Sequence, residues 1–423
     1  MAARGRASGH IDRMEDWCER PKLRALEATM VADGAGGRAL MLRDAEAIAD
    51  EAVLVPAHAI AIVARFDGHR TLKQIAGEAS RVSGMHIEAS AVRSLVDELD
   101  AALLLESPAS EARRWQVTNA FRRDTVRRAT HAGGAYHDDP ATLARFIEEE
   151  CFLKACSALP GGRIVALSAP HMDLWRAASG YGHAYRACAQ GLSPEVDTLI
   201  VLGTCHAPMR RPFAVCEKTF ETPLGDFAPD HAAIAELSAG ARFDIREEEY
   251  LHKQEHSIEF QAVFLKHLLG DRRATIVPVL CGLGEAQTSR SDPTRDPEAE
   301  SFLSALQEVC ERRGRRVLVV SGADLAHVGP RFGDARALDE AERRALRARD
   351  EASIRCATDG DAAGFFADVA EDQDTRRVCG LGPIYTLLRL VAGRSRGQVL
   401  NYDQCIDPIE GSIVSHASLG FYA

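Results

Sequence analysis

The chain has 423 residues, 46% of them hydrophobic and 27% charged, a balance that excludes collagen-like and largely disordered classes. A formal net charge of −11 argues against a general polyanion binder. No window approaches the ~18 uninterrupted apolar residues that span a bilayer.

A single core rarely grows past roughly 250–300 residues, so two domains are expected. The N-terminus, MAARGRASGHIDRMEDWCER, lacks the apolar core of a signal peptide, which makes the cytoplasm the expected location. The eleven cysteines are scattered and odd in number, so free thiols are expected rather than a disulfide framework. Eleven of the 15 histidines lie at or after His131, which directs the search for chemistry to the C-terminal part.

Residues 1–20 read as a flexible polar tail. Residues 21–107 read as a compact unit. RALMLRD and EAVLVP look like short strands, and HAIAIVARF (58–66) like an apolar helix or strand ending at the turn Asp67-Gly68. TLKQIAGEAS follows as a helix, with Thr71 as N-cap and Gln74 completing a capping box. Val92, Leu95, Val96 and Leu99 recur at helical spacing, and LLLES (103–107) closes the unit as a strand-like segment. Helices flanked by short strands suggest a winged-helix unit. Nine Lys/Arg against thirteen Asp/Glu leave it at −4, which lacks the charge that drives DNA binding, so a peptide ligand is expected and nucleic acid is not.

Residues 108–121 read as a polar connection, and the pattern changes over 122–423. RIVALSAPH, DTLIVLGTCH, ATIVPVLCG and RRVLVVSGADLAH are strand-like runs, with helix candidates around 180–192, 258–269 and 298–312. Such alternation implies βαβ units and an α/β fold with a mostly parallel sheet.

Three of these runs end in candidate ligands: His171, His206, and Asp324 with His327. Ligands of open α/β sheets bind outside the carboxyl ends of the strands, which a shared sheet brings together. Cys379, in RRVCGLGPIYTLLRL, stands beside a helix start, where a thiolate is stabilised. A thiolate with two neutral imidazoles can hold zinc, copper or iron. Cys151, Cys188, Cys216, Cys310 and Cys356 read as buried small hydrophobes; Cys205 and Cys281 lie at strand ends. In HKQEHSIEF (252–260), Glu255 and His256 either orient a ligand or form an acidic first helical turn, with Glu259 one turn beyond. His131 lies in a Gly-rich loop, as a substrate contact or as a loop residue closing over the sheet edge.

THAGGAY, APH…GYGHAY, LGTCHAP, FETPLGDF, QEHSIEFQ, IVPVLCG, SGADLAHVG and CGLGPIY occur in this order between residues 130 and 385. On these blocks the chain resembles the Memo family, in particular its bacterial branch named AmmeMemoRadiSam system protein B. Phe66-Asp67-Gly68, Thr71-Leu72 with Ile75-Ala76, and VRSLVDELDAALLL resemble a PqqD-like winged helix, a module that holds leader peptides. The Memo fold is similar to class III extradiol dioxygenases, which implies a non-haem iron or a copper site, with zinc less favoured. The resemblance carries metal ligation to His171, His206 and Cys379. Asp324 and His327 match neighbouring pocket residues, and His327 or His256 serves as proton donor or acceptor. The family name implies AMMECR-like and radical SAM partners; no membrane association is expected, on the lack of a long apolar run. Cys379 departs from the third carboxylate ligand of the dioxygenases, which puts ring cleavage in doubt. Asp173 replaces the glycine of the family's Ala-Gly-Tyr continuation and adds a polar group near the site. The implied activity is redox chemistry on a peptide or small molecule; non-catalytic metal handling is the alternative.

Overall fold

The computed structural model describes residues 16–33, 37–155, 161–283, 291–371, 373 and 375–423. Of the tail expected over 1–20, residues 1–15 lie outside the described residues; in the following turn Arg20 pairs with Asp16 at 3.3 Å. The chain divides into two compact units, residues 1–123 and 124–423.

In the first unit, β1 (Glu27–Ala32), β2 (Arg38–Arg43) and β3 (Val53–Pro56) form an antiparallel sheet in the order β1-β2-β3. Helices Ala57–Val63, Leu72–Ser83 and Ala89–Ala101 follow. Ile75, Val92, Val96 and Leu99 are buried together, as their spacing requires. The Thr71 capping box is present: Thr71 Oγ1 accepts the Gln74 N–H at 3.4 Å, and Gln74 Oε1 accepts the Thr71 N–H at 2.9 Å. Gly84 ends that helix in the left-handed conformation that only glycine adopts without cost. Thr71→Ala is expected to lower the stability of this unit by about 1 kcal/mol in chemical denaturation, with no change in fold.

Two readings of this region need correction. The strand expected over 103–107 is reduced to one bridge, Leu23 to Leu105, because Leu104 and Leu105 turn completely into the helical core. The polar stretch 108–121 is no connection but the body of a helix, Pro108–Arg123. Ser107 Oγ accepts the Ser110 N–H at 3.3 Å, Glu111 lies in the first turn, and Arg122 and Arg123 lie in the last. These features satisfy the helix ends and its dipole, while only Ser110, Val117 and Phe121 are buried, so the composition reads as polar.

The second unit contains a nine-stranded sheet. Its strands are β5 (Ile164–Ala169), β6 (Thr198–Thr204), β7 (Phe213–Val215), β9 (Ala228–Pro229), β10 (Thr275–Cys281), β11 (Val317–Gly322), β12 (His327–Val328), β13 (Arg396–Ile406) and β14 (Ile413–Tyr422). The path runs β12-β14-β5-β11-β6-β10-β7, with β13 on β14 and β9 on β10. β4 (Val126–Arg127) and β8 (Thr219–Phe220) pair separately.

β5, β11, β6 and β10 are mutually parallel, and they are the four apolar runs of the sequence. Every residue of β6 is buried, which requires cover on both faces and accounts for the unbroken hydrophobic run. The expected helices span Leu174–Gly191, His256–Leu269 and Pro297–Arg313. The first begins six residues earlier than its periodicity suggested. The "mostly parallel" expectation holds for the four central strands, whereas β7, β12, β13 and β14 pair antiparallel at the flanks. No helix among the described residues is long and apolar enough to cross a membrane.

Candidate metal centre

β5, β11 and β6 lie side by side, and each delivers a polar residue two positions beyond its last strand residue: His171, Asp324 and His206 respectively. Adjacent strands are ~4.8 Å apart, so His171 and His206 start two spacings apart and lean together across the end of β11. Their ring centroids are 5.2 Å apart.

β11 ends in Gly322, the register partner of Gly203 on β6. A Cβ at Gly322 would lie 2.2 Å from the Ser257 carbonyl oxygen, and one at Gly203 would lie 2.4 Å from Ser257 Oγ. These two glycines let the start of helix His256–Leu269 settle on the sheet, and Glu255 and His256 arrive beside His206 with it.

Cys379 comes from the turn before helix Leu381–Val391. Thr204 Oγ1 donates to the Cys379 carbonyl at 3.0 Å, and the Gly380 N–H donates to the Asp324 carbonyl at 3.0 Å. A side chain on Gly380 would meet that oxygen at 2.3 Å, so the approach requires glycine. Cys379 Sγ stands 3.4 Å from His171 Nε2. One donor atom from each of His171, His206 and Cys379 lies within 4.8 Å of the other two.

The far nitrogens of both imidazoles are engaged. His171 Nδ1 donates to the Gly322 carbonyl at 3.0 Å, and His206 Nδ1 lies 3.0 and 3.1 Å from the two Glu255 oxygens. Acceptor-only partners place the proton on Nδ1 and leave Nε2 to face the cluster, the arrangement that orients metal-binding imidazoles. Glu255 is buried and also accepts the N–H groups of His206 (2.8 Å) and Ser257 (3.0 Å). Its donor oxygen, with His206 and His256, makes a second close triad. Those two backbone bonds commit Glu255 to orienting His206.

The electrostatics couple the group. Burial opposes charge on His171, but the Cys379 thiolate and the Asp324 carboxylate outweigh it and raise its pKa to about 9. Burial likewise opposes charge on His206, and Glu255 and Cys379 raise it well above the usual imidazole value. Burial pushes the Cys379 thiol up, yet His171, His327 and hydrogen bonds from His171 and His206 bring it down to about 5. Burial and the neighbouring His206, His171 and His131 keep His256 neutral, despite Glu255.

The other expected site residues lie around this cluster. Asp324 is buried, accepts the His171 N–H at 3.1 Å, and has an oxygen 3.8 Å from His171 Nε2. His256 stacks on His206 at 4.7 Å and meets His171 edge to face at 5.5 Å. His327 Nδ1 lies 3.2 Å from the carbonyls of Leu325 and Arg377, which fixes its ring. Asp173 is spent elsewhere: its carboxylate caps helix Leu174–Gly191 by accepting the Arg176 N–H at 3.1 Å. Cys151, Cys188 and Cys216 are buried as expected, whereas Cys310 and Cys356 are partly exposed. Cys205 bonds the Ala207 carbonyl at 3.3 Å, and buried Cys281 stands 3.8 Å from Thr386 Oγ1. A cleft of about 680 Å³ opens onto His206 and Cys379, between Met209, Arg211 and Pro293.

A second buried group was not anticipated. Arg127 is fully buried; it donates to the carbonyls of His252 (2.8 Å), Arg128 (2.8 Å) and Glu255, and pairs with Glu259. Glu259 also accepts from Tyr136 Oη at 2.5 Å and from the His131 N–H at 3.0 Å. In RRDTVRRAT, Arg127 reads as one member of a solvated basic run, and nothing local singles it out. Glu259 did carry a signal: it is a charge set between Ile258 and Phe260, four residues before the apolar run Val263–Leu265.

A MEMO1 family protein of Aquifex aeolicus (strain VF5) is 26% identical over 388 residues, covering 91% of this chain and 96% of its own. A MEMO1 family protein of Thermus thermophilus is 27% identical over 334 residues, covering 78% and 93%. The protein memo-1 homolog of Caenorhabditis elegans is 32% identical over 220 residues, covering 51% and 56%. Among solved structures, an uncharacterized protein of Escherichia coli K12, JW3007, aligns with a TM-score of 0.33 and 12% identity, over 61% of this chain and 99% of that one. The family model described as "Memo-like protein" matches residues 127–420, which include every residue of the cluster, and the chain therefore belongs to the Memo family.

Proposed function

We propose that the protein is a metal-dependent redox protein in which His171, His206 and Cys379 hold one iron or copper ion, acting on a peptide or small molecule. The observation that carries this reading is the convergence of two oriented Nε2 atoms and one thiolate within 4.8 Å. The donor set fits: two imidazoles, once each gives up a proton to the ion, and an acidic thiol suit a borderline-soft ion, and three protein donors leave coordination positions open. Bound iron or copper would supply a one-electron centre. Glu255 and the Gly322 carbonyl orient the imidazoles, and Asp324 fixes the His171 backbone. The thiolate, in place of a carboxylate, also favours a second reading, copper handling without turnover.

The finer placement is part of the proposal: the bacterial AmmeMemoRadiSam system protein B branch, with AMMECR-like and radical SAM partners. The N-terminal unit then serves as a PqqD-like winged helix that presents a peptide. Its net −4 and its three-stranded sheet flanked by helices support that role. The ten described cysteines are all free, which suits a reducing cytoplasm.

Anaerobic purification with metal analysis and oxygen-uptake measurement tests the reading. About one iron or copper per chain with oxygen consumption supports the redox protein. Tight Cu(I) binding without oxygen consumption supports the handling role, and a chain that takes up neither metal refutes both.

Binding must also displace protons. Below its pKa of about 9, His171 carries a proton that an ion has to remove, and His206, raised well above the usual imidazole value by Glu255 and Cys379, adds a second. Apparent affinity is therefore expected to rise with pH toward about 9, roughly tenfold per unit for each proton displaced. Below about 5 the Cys379 thiol adds a further proton and steepens the fall. Competition titration with a chelator at several pH values reads this directly; an affinity flat between pH 6 and 9 would contradict it.

A further inference from the structure

A chain of four imidazoles extends beyond the three donor residues. His131 lies 5.5 Å from His256, which in turn lies 4.7 Å from His206 and 5.5 Å from His171, centroid to centroid. His206 and His256 share the Glu255 carboxylate, whereas His131 has a carboxylate of its own. Its Nδ1 stands 3.1 Å from Glu259 Oε2, and its backbone N–H donates to Glu259 Oε1 at 3.0 Å. A carboxylate only accepts, so Nδ1 holds the proton. Nε2 has no hydrogen-bond partner among the described residues, and the side chain is 24% exposed.

Glu259 cannot move to follow another partner, because Arg127 and Tyr136 Oη hold it from the buried side. The groups facing His131 are Glu259, with Arg127 and Tyr136 behind it, the neutral His256, the edge of Phe260 and Thr130 Oγ1. A fixed buried anion against one nitrogen, with the other nitrogen open to solvent, is the arrangement of an oriented general base. The alternatives have it less completely: His256 Nδ1 stands 3.4 Å from Glu255, whose oxygens already hold His206 Nδ1 at 3.0 and 3.1 Å, and the Nδ1 of His327 faces backbone carbonyls rather than a carboxylate.

We propose that His131 is the acid–base catalytic residue of the centre and Glu259 its positioning residue. The ligand is one with an ionisable O–H, seated beside His256. The O–H bond breaks, its electron pair stays on oxygen, and the proton passes to His131 Nε2, where Glu259 balances the imidazolium charge. The reverse transfer returns the proton to the leaving product. This inference rests on the metal-centre reading, because it places the ligand at that centre.

The test uses the full chain loaded with Zn(II) and acetohydroxamic acid as probe. Calorimetry near pH 7, in buffers of different ionisation enthalpy, counts the protons released per probe bound. The wild type is expected to retain the probe's proton and release close to none, whereas His131→Gln releases about one at similar probe affinity. Equal release by both proteins, each binding zinc and probe, overturns the role of His131. A wild type that takes up zinc but not the probe overturns this inference alone; one that takes up neither zinc nor iron nor copper overturns the metal centre, and this inference with it.

A second variant tests Glu259. In the same calorimetry Glu259→Gln, with zinc and probe still bound, is expected to release more of the probe's proton than the wild type, because the charged His131 ring loses its counter-charge. A proton count equal to the wild type's removes Glu259 as the positioning residue. If Glu259→Gln unfolds the region, the proton count of His131→Gln decides.

Discussion

Replacing Cys379 and His206 together by alanine is expected to reduce bound metal from about one ion per chain to a trace, with circular dichroism unchanged. Two of three donors disappear, and the remaining His171 offers one imidazole to an ion that prefers three or more protein ligands. The turn survives because its anchors are backbone atoms: the Cys379 carbonyl on Thr204 and the Gly380 N–H on Asp324. Glu255→Gln should act through the same ion but less severely. It keeps the shape of the carboxylate while weakening the acceptor that holds His206 Nδ1, so affinity should fall about 10–100-fold. The order of the three proteins is the informative result: wild type, then Glu255→Gln, then the double variant. Stoichiometric metal in the double variant would show that the ion binds elsewhere.

Arg127→Met is expected to lower stability by about 3–5 kcal/mol, the largest effect of any single substitution considered for the second unit. The loss does not come from the ion pair's attraction as such, since desolvation offsets much of it. It comes from what remains: a buried Glu259 carboxylate without its counter-charge, and the carbonyls of His252, Arg128 and Glu255 without a donor. Adding Glu259→Gln to that variant removes the stranded charge and should recover part of the loss, though not the carbonyl bonds. Equilibrium unfolding of the three proteins measures both steps, and a loss below about 1 kcal/mol for Arg127→Met would refute the assignment. The pH dependence has a definite sign. Burial raises the Glu259 pKa, but Arg127, with His131, lowers it to about 2, against an ordinary value of 4.5. Its contribution is whole above pH 4.5 and is lost as pH falls toward 2.

The local features of this protein were legible in the order of its residues. Unbroken apolar runs mark β5, β6, β10 and β11 because strands buried on both faces have no polar side to show. His171, His206 and Asp324 stand out because each follows such a run at the same offset. The Thr71–Gln74 box announces its helix because a cap is a contact between residues three apart. What composition hid was equally local: the helix Pro108–Arg123 buries too few residues for its periodicity to emerge from the charges.

Strand order, and everything that depends on it, was decided only by the folded chain. That β11 lies between β5 and β6 determines which imidazoles meet, and no periodicity encodes it. Gly203 and Gly322 look like ordinary small residues until their shared register places both under Ser257. Arg127 and Glu259 are 132 residues apart, and although Glu259 stands out between two apolar neighbours, nothing near it points to Arg127. A residue's spacing reports which face it shares with near neighbours. Burial of a charge beside a distant counter-charge is set by long-range packing, so the donor cluster could be suspected in one dimension, while the buried Arg127–Glu259 pair that holds His131 exists only in three.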